Sequence, residues 1–112
     1  MTLRVVFTPR AEQQLDTLYT YIATAAGEQR AESFAGRIVA HCQGFGDLPQ
    51  RGTRRDDIAP GLRIVGFRRR VTIAFLVEPE VVVIVGIFYG GQDHESVLRA
   101  EAEGEGGEFP GV

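Results

Sequence analysis

The run VVVIVGIFY, from Val81 to Tyr89, constrains this chain more than any other stretch. Side chains of a strand point alternately to two faces, and this run is apolar at both parities. It is therefore expected as a central strand of a sheet. Upstream, Arg70 to Val77 reads as another strand, with Val71, Ile73, Phe75 and Val77 on one face and Thr72, Ala74 and Leu76 on the other. Leu62 to Gly66 reads as a third. Phe67-Arg68-Arg69 and Glu78-Pro79-Glu80 read as the turns between them, and strands joined so tightly must run antiparallel.

The N-terminal half has a different period. Leu3 to Phe7 is short, apolar and β-branched, which suits a strand. Thr8-Pro9 then carries the signals of a helix start: a hydroxyl to cap free amides, a proline for the first position, and Glu12 near the positive end of the dipole. Ala11, Leu15, Leu18, Tyr19, Ile22 and Ala26 recur at spacings of three and four. Gly27 breaks the pattern. Ala31, Phe34, Ile38, Cys42 and Phe45 form the inner face of a second helix, ended by Gly44, Gly46 and Pro49. The short connection predicts an antiparallel helical hairpin. Asp93 is a good cap for a short terminal helix pinned by Val97 and Leu98.

The fold class is thus α+β, ordered β-α-α-β-β-β-α, with the hairpin packed on one face of a small, curved, mainly antiparallel sheet. Residues 1–100 are expected to form the domain and residues 101–112 an acidic, Gly-rich, flexible tail. At 112 residues one domain can hold a sufficient core without staples. The lone Cys42 falls on an apolar register and reads as a buried, inert thiol. The N-terminus lacks a charged region followed by a long apolar run, so no signal peptide is expected. No apolar run approaches the ~20 residues a membrane span needs, so the expectation is a cytoplasmic chain with no membrane partner.

Charge is uneven. The chain has no lysine and a net charge of −3. Residues 51–70 hold seven arginines against two aspartates, a local net of +5, whereas residues 93–112 hold six acids against one arginine, a net of −5. Such asymmetry points to interaction surfaces. Arginine's planar fork suits carboxylate or phosphate partners. Within the segment, Asp56 and Asp57 are placed to pair Arg54, Arg55 or Arg63, and Pro60-Gly61 suits a type II turn into the next strand.

Catalytic signals are few. The serines, Ser33 and Ser96, lie in no nucleophile motif. His41 and His94 are too isolated to suggest a metal site. The glycine-containing stretches lack phosphate-loop and dinucleotide spacings, and nothing calls for a cofactor. An acid-base ribonuclease stays open: Arg63, Arg68, Arg69 and Arg70 would supply charge, and Tyr89, His94 or Glu95 proton transfer.

The stretches VVFTPRAEQQLDTLYTYIA, GTRRDDIAPGLRIVGFRRRVTIAFLV and VVIVGIFYGGQDHESVL together resemble the RelE/ParE family of type II toxin-antitoxin toxins, from about Leu3 to Leu98, and its ParE branch most. The resemblance implies the β-α-α-β-β-β fold with a terminal helix. RelE-type toxins cleave mRNA on the ribosome using an arginine just after the last strand and an aromatic or histidine near the terminal helix. Here those positions fall near Gln92 and Leu98, and a neutral amide cannot replace a cation opposite developing phosphate charge. The resemblance therefore implies a non-enzymatic, gyrase-binding toxin without catalytic residues, metal or cofactor. It also implies a ParD-like antitoxin whose acidic C-terminal segment folds on binding, with DNA met only indirectly through that antitoxin. The antitoxin surface would take Leu15, Leu18, Tyr19, Ile22, Arg63, Arg68, Arg69 and Arg70. The target surface would take Tyr89, Gly90, Gly91, Gln92, Asp93 and Leu98. Arg55, Asp56, Asp57, Pro60 and Gly61 would fix the intervening turn. The alternatives are a RelE-type ribosome-dependent endoribonuclease and a degenerate, non-toxic antitoxin-binding homologue.

Overall fold

The structure, a computed structural model, describes residues 2–90 and 92–104. Strand β1 (Arg4–Phe7) leads into helices α1 (Pro9–Ala26) and α2 (Glu28–Gln43), a short 3₁₀ turn at Gly44–Gly46, strands β2 (Thr53–Arg54), β3 (Leu62–Phe67), β4 (Val71–Val77) and β5 (Val81–Tyr89), and helix α3 (His94–Gly104). The fold is α+β in the expected order. The two-residue β2 is additional, β3 runs on to Phe67, and Arg70 belongs to a turn.

Helix α1 starts as its sequence requires. The Thr8 hydroxyl accepts from the Ala11 N–H at 3.1 Å, and Pro9 needs no donor partner at the first position. A single residue, Gly27, separates the helices. Its φ of +99° is open to glycine at little cost and lets the chain reverse into the hairpin. Burial pushes the Cys42 thiol up to about 12, so it stays protonated and acts as packing.

The sheet order is β1-β5-β4-β3-β2, with β1 parallel to β5 and the other neighbours antiparallel. Strand β5 is therefore paired on both sides, as its composition demands. Its pairing with β4 slips once: Phe75 faces Ile84 but Ala74 faces Gly86, leaving Val85 as an extra residue. A bulge of this kind shifts the side-chain alternation by one. It puts Val82, Ile84 and Ile87 on one face and Val83, Val85 and Phe88 on the other.

Each face has its own core. The helical hairpin covers the first, where Leu18, Ile38, Phe45, Ile73, Phe75 and Ile84 meet. Helix α3 and the 58–62 turn cover the second, where Ile58, Leu62, Val83, Phe88, Leu98 and Ala102 meet. The sheet thus lies between two layers of different size. Asp93 caps α3, its carboxylate accepting from the Ser96 N–H at 3.1 Å and the Ser96 hydroxyl at 2.7 Å. The helix runs further than expected. Residues 101–104, assigned from composition to a flexible tail, form its last turn because Ala102 is buried and Glu101 reaches Arg10 of α1 at 3.1 Å. Residues 105–112 of that tail lie outside the described residues. No helix among the described residues is long and apolar enough to cross a membrane.

Leu98 is fully buried and anchors α3 to the second face. Leu98→Ala is expected to lower the unfolding free energy by about 2–5 kcal/mol, read from urea denaturation. A loss under about 0.5 kcal/mol, the range of an exposed site, would show that α3 is not packed there.

Candidate functional site

The arginine-rich segment divides into two environments. In the first, Arg54 and Arg55 are spent on their own loop. Arg54 pairs with Asp56 at 3.1 Å, and Arg55 grips Asp57 through two hydrogen bonds of 2.9 Å each. Asp57 also accepts from Arg99 of α3 at 2.7 Å, and Glu95 accepts from Arg99 at 3.0 Å and lies 3.2 Å from Arg55. Two arginines and two carboxylates alternate in a closed ring that ties the loop to α3. Hydrogen bonds from Arg55, then Arg99, hold the Asp57 carboxyl well below the usual carboxylate range, and Arg99 and Arg55 lower Glu95. The turn itself follows from Pro60-Gly61. Gly61 has φ +80°, the Leu62 N–H donates to the Ala59 carbonyl at 3.1 Å, and the Gly61 N–H donates to Asp56 at 2.8 Å.

The second environment is the hairpin between β3 and β4. Arg68 and Arg69 have φ of 52° and 62°, a left-handed backbone that Asn-Gly occupies far more readily. Arg68, Arg69 and Arg70 are all exposed. Among the described residues, ion pairs engage Arg10, Arg54, Arg55 and Arg99, and these three take none. Arg68 lies over the Phe67 ring, 5.4 Å from its centroid. Phe67 in turn packs on His41, whose Nε2 is buried without a partner; burial, then Arg51, lowers the His41 pKa.

The turn lies beside the end of β5. The Gly90 N–H donates to the Arg70 carbonyl at 2.7 Å. Here β5 and α1 bound a groove of about 620 Å³, whose walls include Thr17, Tyr21, Tyr89 and Gly90. Tyr21 is 59% exposed and its ring centroid lies 5.7 Å from that of Tyr89. Two glutamines close the strand backbone. Gln14 accepts from the Ile87 N–H at 2.7 Å, and Gln92 accepts from the Tyr89 N–H at 2.8 Å.

The expected surfaces are therefore partly redistributed. Arg68–Arg70, Tyr89, Gly90 and Gln92, assigned to two different surfaces, share one end of the sheet. Leu18 is buried and Leu15 and Ile22 are half-buried against the first core, so all three pack α1 on the sheet. Tyr19 is half-buried, and burial, then Glu32 and Glu28, raises its hydroxyl. Arg63 is half-buried and donates to the Arg51 carbonyl at 2.8 Å and to Gln50 at 3.3 Å. It braces a loop and pairs neither Asp56 nor Asp57. Leu98 belongs to the second core and cannot offer a contact surface. Asp93 is exposed and occupied with its cap. Gly91 lies outside the described residues. Tyr21, Gln14 and Thr17 were not singled out from sequence. Only Tyr21 left a signal there, as a large aromatic off the apolar stripe of α1.

The fold is a small α+β domain with an aromatic groove beside a turn of three exposed arginines. The sequence model described as "ParE toxin of type II toxin-antitoxin system, parDE" matches residues 5–94. The chain belongs to this family of type II toxin-antitoxin toxins. Among solved structures it is similar to a chain of the "Chromosomal ParDE TA system from P. aeruginosa", with a TM-score of 0.69 and 21% identity over 80% of this chain and 97% of that one. No curated protein matches the sequence.

The left-handed arginines are strained relative to the residues such a turn prefers. Replacing Arg68 by Asn and Arg69 by Gly is expected to raise the unfolding free energy by about 1–2 kcal/mol in urea denaturation. A lower stability would mean that the arginine side chains support the turn.

Proposed function

We propose that this protein inhibits bacterial growth by binding DNA gyrase and is neutralised by a ParD-like antitoxin. Family membership supplies the class. The observation that carries the reading further is the arginine turn: three exposed guanidinium groups with no acidic partner among the described residues, on a strained backbone beside an exposed aromatic groove. Strain of this kind is kept where a site is used for something other than stability. Unpaired arginine next to tyrosine is the composition of a protein-binding hot spot. An antitoxin segment rich in acids complements the turn, forming charge-assisted hydrogen bonds at the rim of the interface.

A binding role also agrees with how Gln92 and Leu98 are used. Gln92, near the position that carries a cation in RelE-type nucleases, has its side-chain oxygen committed to the Tyr89 N–H, and Leu98 is buried. Neither offers positive charge to a phosphate or a proton to a leaving group. The proposal is a toxin acting by contact, in the cytoplasm where gyrase works, with DNA engaged through its partners.

A gyrase supercoiling assay across a concentration series of folded, antitoxin-free protein tests this. The expected result is inhibition that added cognate antitoxin relieves, with Arg68→Ala plus Arg70→Ala needing more antitoxin for the same relief. Normal supercoiling at all concentrations, together with mRNA cleavage on ribosomes, would replace this reading by the nuclease one.

A further inference from the structure

Among the described residues, the His41 Nε2 is a buried side-chain nitrogen without a hydrogen-bond partner. It lies in the last turn of α2, against two phenylalanine rings. The Phe67 centroid, at the end of β3, is 4.9 Å from that of the imidazole, and the Phe45 centroid, in the 3₁₀ turn, is 5.3 Å away. Each phenylalanine also carries a guanidinium. Arg68 stands 5.4 Å from the Phe67 centroid and Arg51 stands 5.0 Å from the Phe45 centroid. Ring faces attract cations, so these contacts are favourable while the imidazole beside them is neutral. The charged groups around His41 are thus Arg51, Arg68 and, one turn earlier on α2, Arg37, all cations. Asp47, the acid that follows the 3₁₀ turn, accepts from the Thr2 hydroxyl at 2.6 Å, and His41 enters no ion pair among the described residues. A neutral imidazole can keep its proton on Nδ1 and leave Nε2 bare. Protonation puts an N–H at Nε2 where no acceptor waits, and adds positive charge beside the guanidiniums. Burial, then Arg51, accordingly lowers the His41 pKa.

The two flanking arginines are not equally free to respond. Arg51 is fixed: its Nε donates to the Leu48 carbonyl at 3.2 Å, and its own carbonyl accepts from Arg63 at 2.8 Å. Arg68 is exposed and has a left-handed backbone, in a turn closed by the Arg70 N–H donating to the Phe67 carbonyl at 3.3 Å. The turn is therefore the side that gives way. We propose that His41 is a proton-operated catch for the arginine turn. Neutral, it supports the Phe67 ring and holds Arg68–Arg70 in their strained hairpin. Protonated, it leaves the ring for solvent, Phe67 loses a packing partner, and the turn loosens. Histidine is suited to this, because its ordinary titration lies near physiological pH. A histidine whose pKa is lowered by folding binds fewer protons folded than unfolded. Its contribution to stability is complete above the ordinary value of 6.5 and declines as the pH falls below it. The catch does not depend on which partner meets the turn. For an acidic partner it means a contact surface that has to be reordered in acid.

The test is an NMR titration of the full chain without antitoxin, from about pH 8 to about pH 5.5. The His41 ring protons are expected to titrate with a midpoint below 6.5, and the amide signals of Arg68, Arg69 and Arg70 to shift with that same midpoint. His41→Phe keeps an aromatic ring against Phe67 without a titrating group, and is expected to abolish the shift at the turn. The fall in melting temperature across the range is expected to be smaller in that variant than in the unaltered chain. His94 packs near Phe88, 6.0 Å from its centroid, in the core of the other sheet face, so His94→Gln is expected to leave the response in place. Turn signals that do not move over this range would overturn the catch, as would a His41 midpoint at or above 6.5. A response that persists in His41→Phe, or disappears in His94→Gln, would overturn it too, since the proton would then act elsewhere. If His41→Phe does not fold, the shared midpoint in the unaltered chain decides alone, and two different midpoints would overturn the proposal. None of these outcomes bears on whether an antitoxin binds.

Discussion

Val82 to Phe88 are buried against a layer on each side, and one extra residue at Val85 makes that possible. Before the bulge, Val82 and Ile84 feed the core under the helical hairpin. After it, Ile87 continues that core, and Val83, Val85 and Phe88 supply the other. An unbroken alternation would have sent Ile87 to the α3 side and Phe88 into the hairpin. The same shift aims the backbone of Ile87 and Tyr89 at the side that β1 has left. The bulge thus sets both which side chains feed each core and which backbone N–H groups, those of Ile87 and Tyr89, face the side where β1 has ended.

Charge in this molecule is divided between holding and reaching. Arg55, Asp57, Arg99 and Glu95 close on one another and fasten α3 across the second face. Being half exposed, the ring contributes less to stability than to fixing where the helix lies. Arg63 is consumed by backbone and amide acceptors. Among the described residues Arg4, Arg30 and Arg37 also stand outside the ion pairs, singly, whereas the β3–β4 turn places three such arginines side by side on a left-handed backbone. A protein that is acidic overall thus concentrates positive charge at one turn, near the exposed Tyr21 ring.

Much of the fold was legible because its signals are local. Thr8-Pro9 and Asp93 act within three residues of themselves, Gly27 marks a reversal, and the period of the apolar positions separates helix from strand. Pro60-Gly61 likewise specifies its own turn. What was not legible depends on distant partners. Gln14 caps Ile87 from 73 residues away, and Arg99 reaches Asp57 across 42, and nothing about either residue announces its match. Leu98 suits both a helix pin and a contact surface in sequence, because one apolar residue in a short helix does not reveal which surface it will meet; in the structure it is fully buried. The spacing of Leu15, Leu18 and Ile22 predicts one apolar face on α1, but not how much of that face the sheet covers. The bulge at Val85 is hidden because a run that is apolar at both parities looks the same with or without a slip in alternation.

A toxin held in check by a partner should arrest growth only when that partner is missing. The measurement is viable counts over time after induced expression in a bacterium, with the chain alone and with its cognate antitoxin. The expected outcome is growth arrest with the chain alone and normal growth with both. Normal growth with the chain alone, when the protein is present and folded in the cells, would overturn the proposed toxin function.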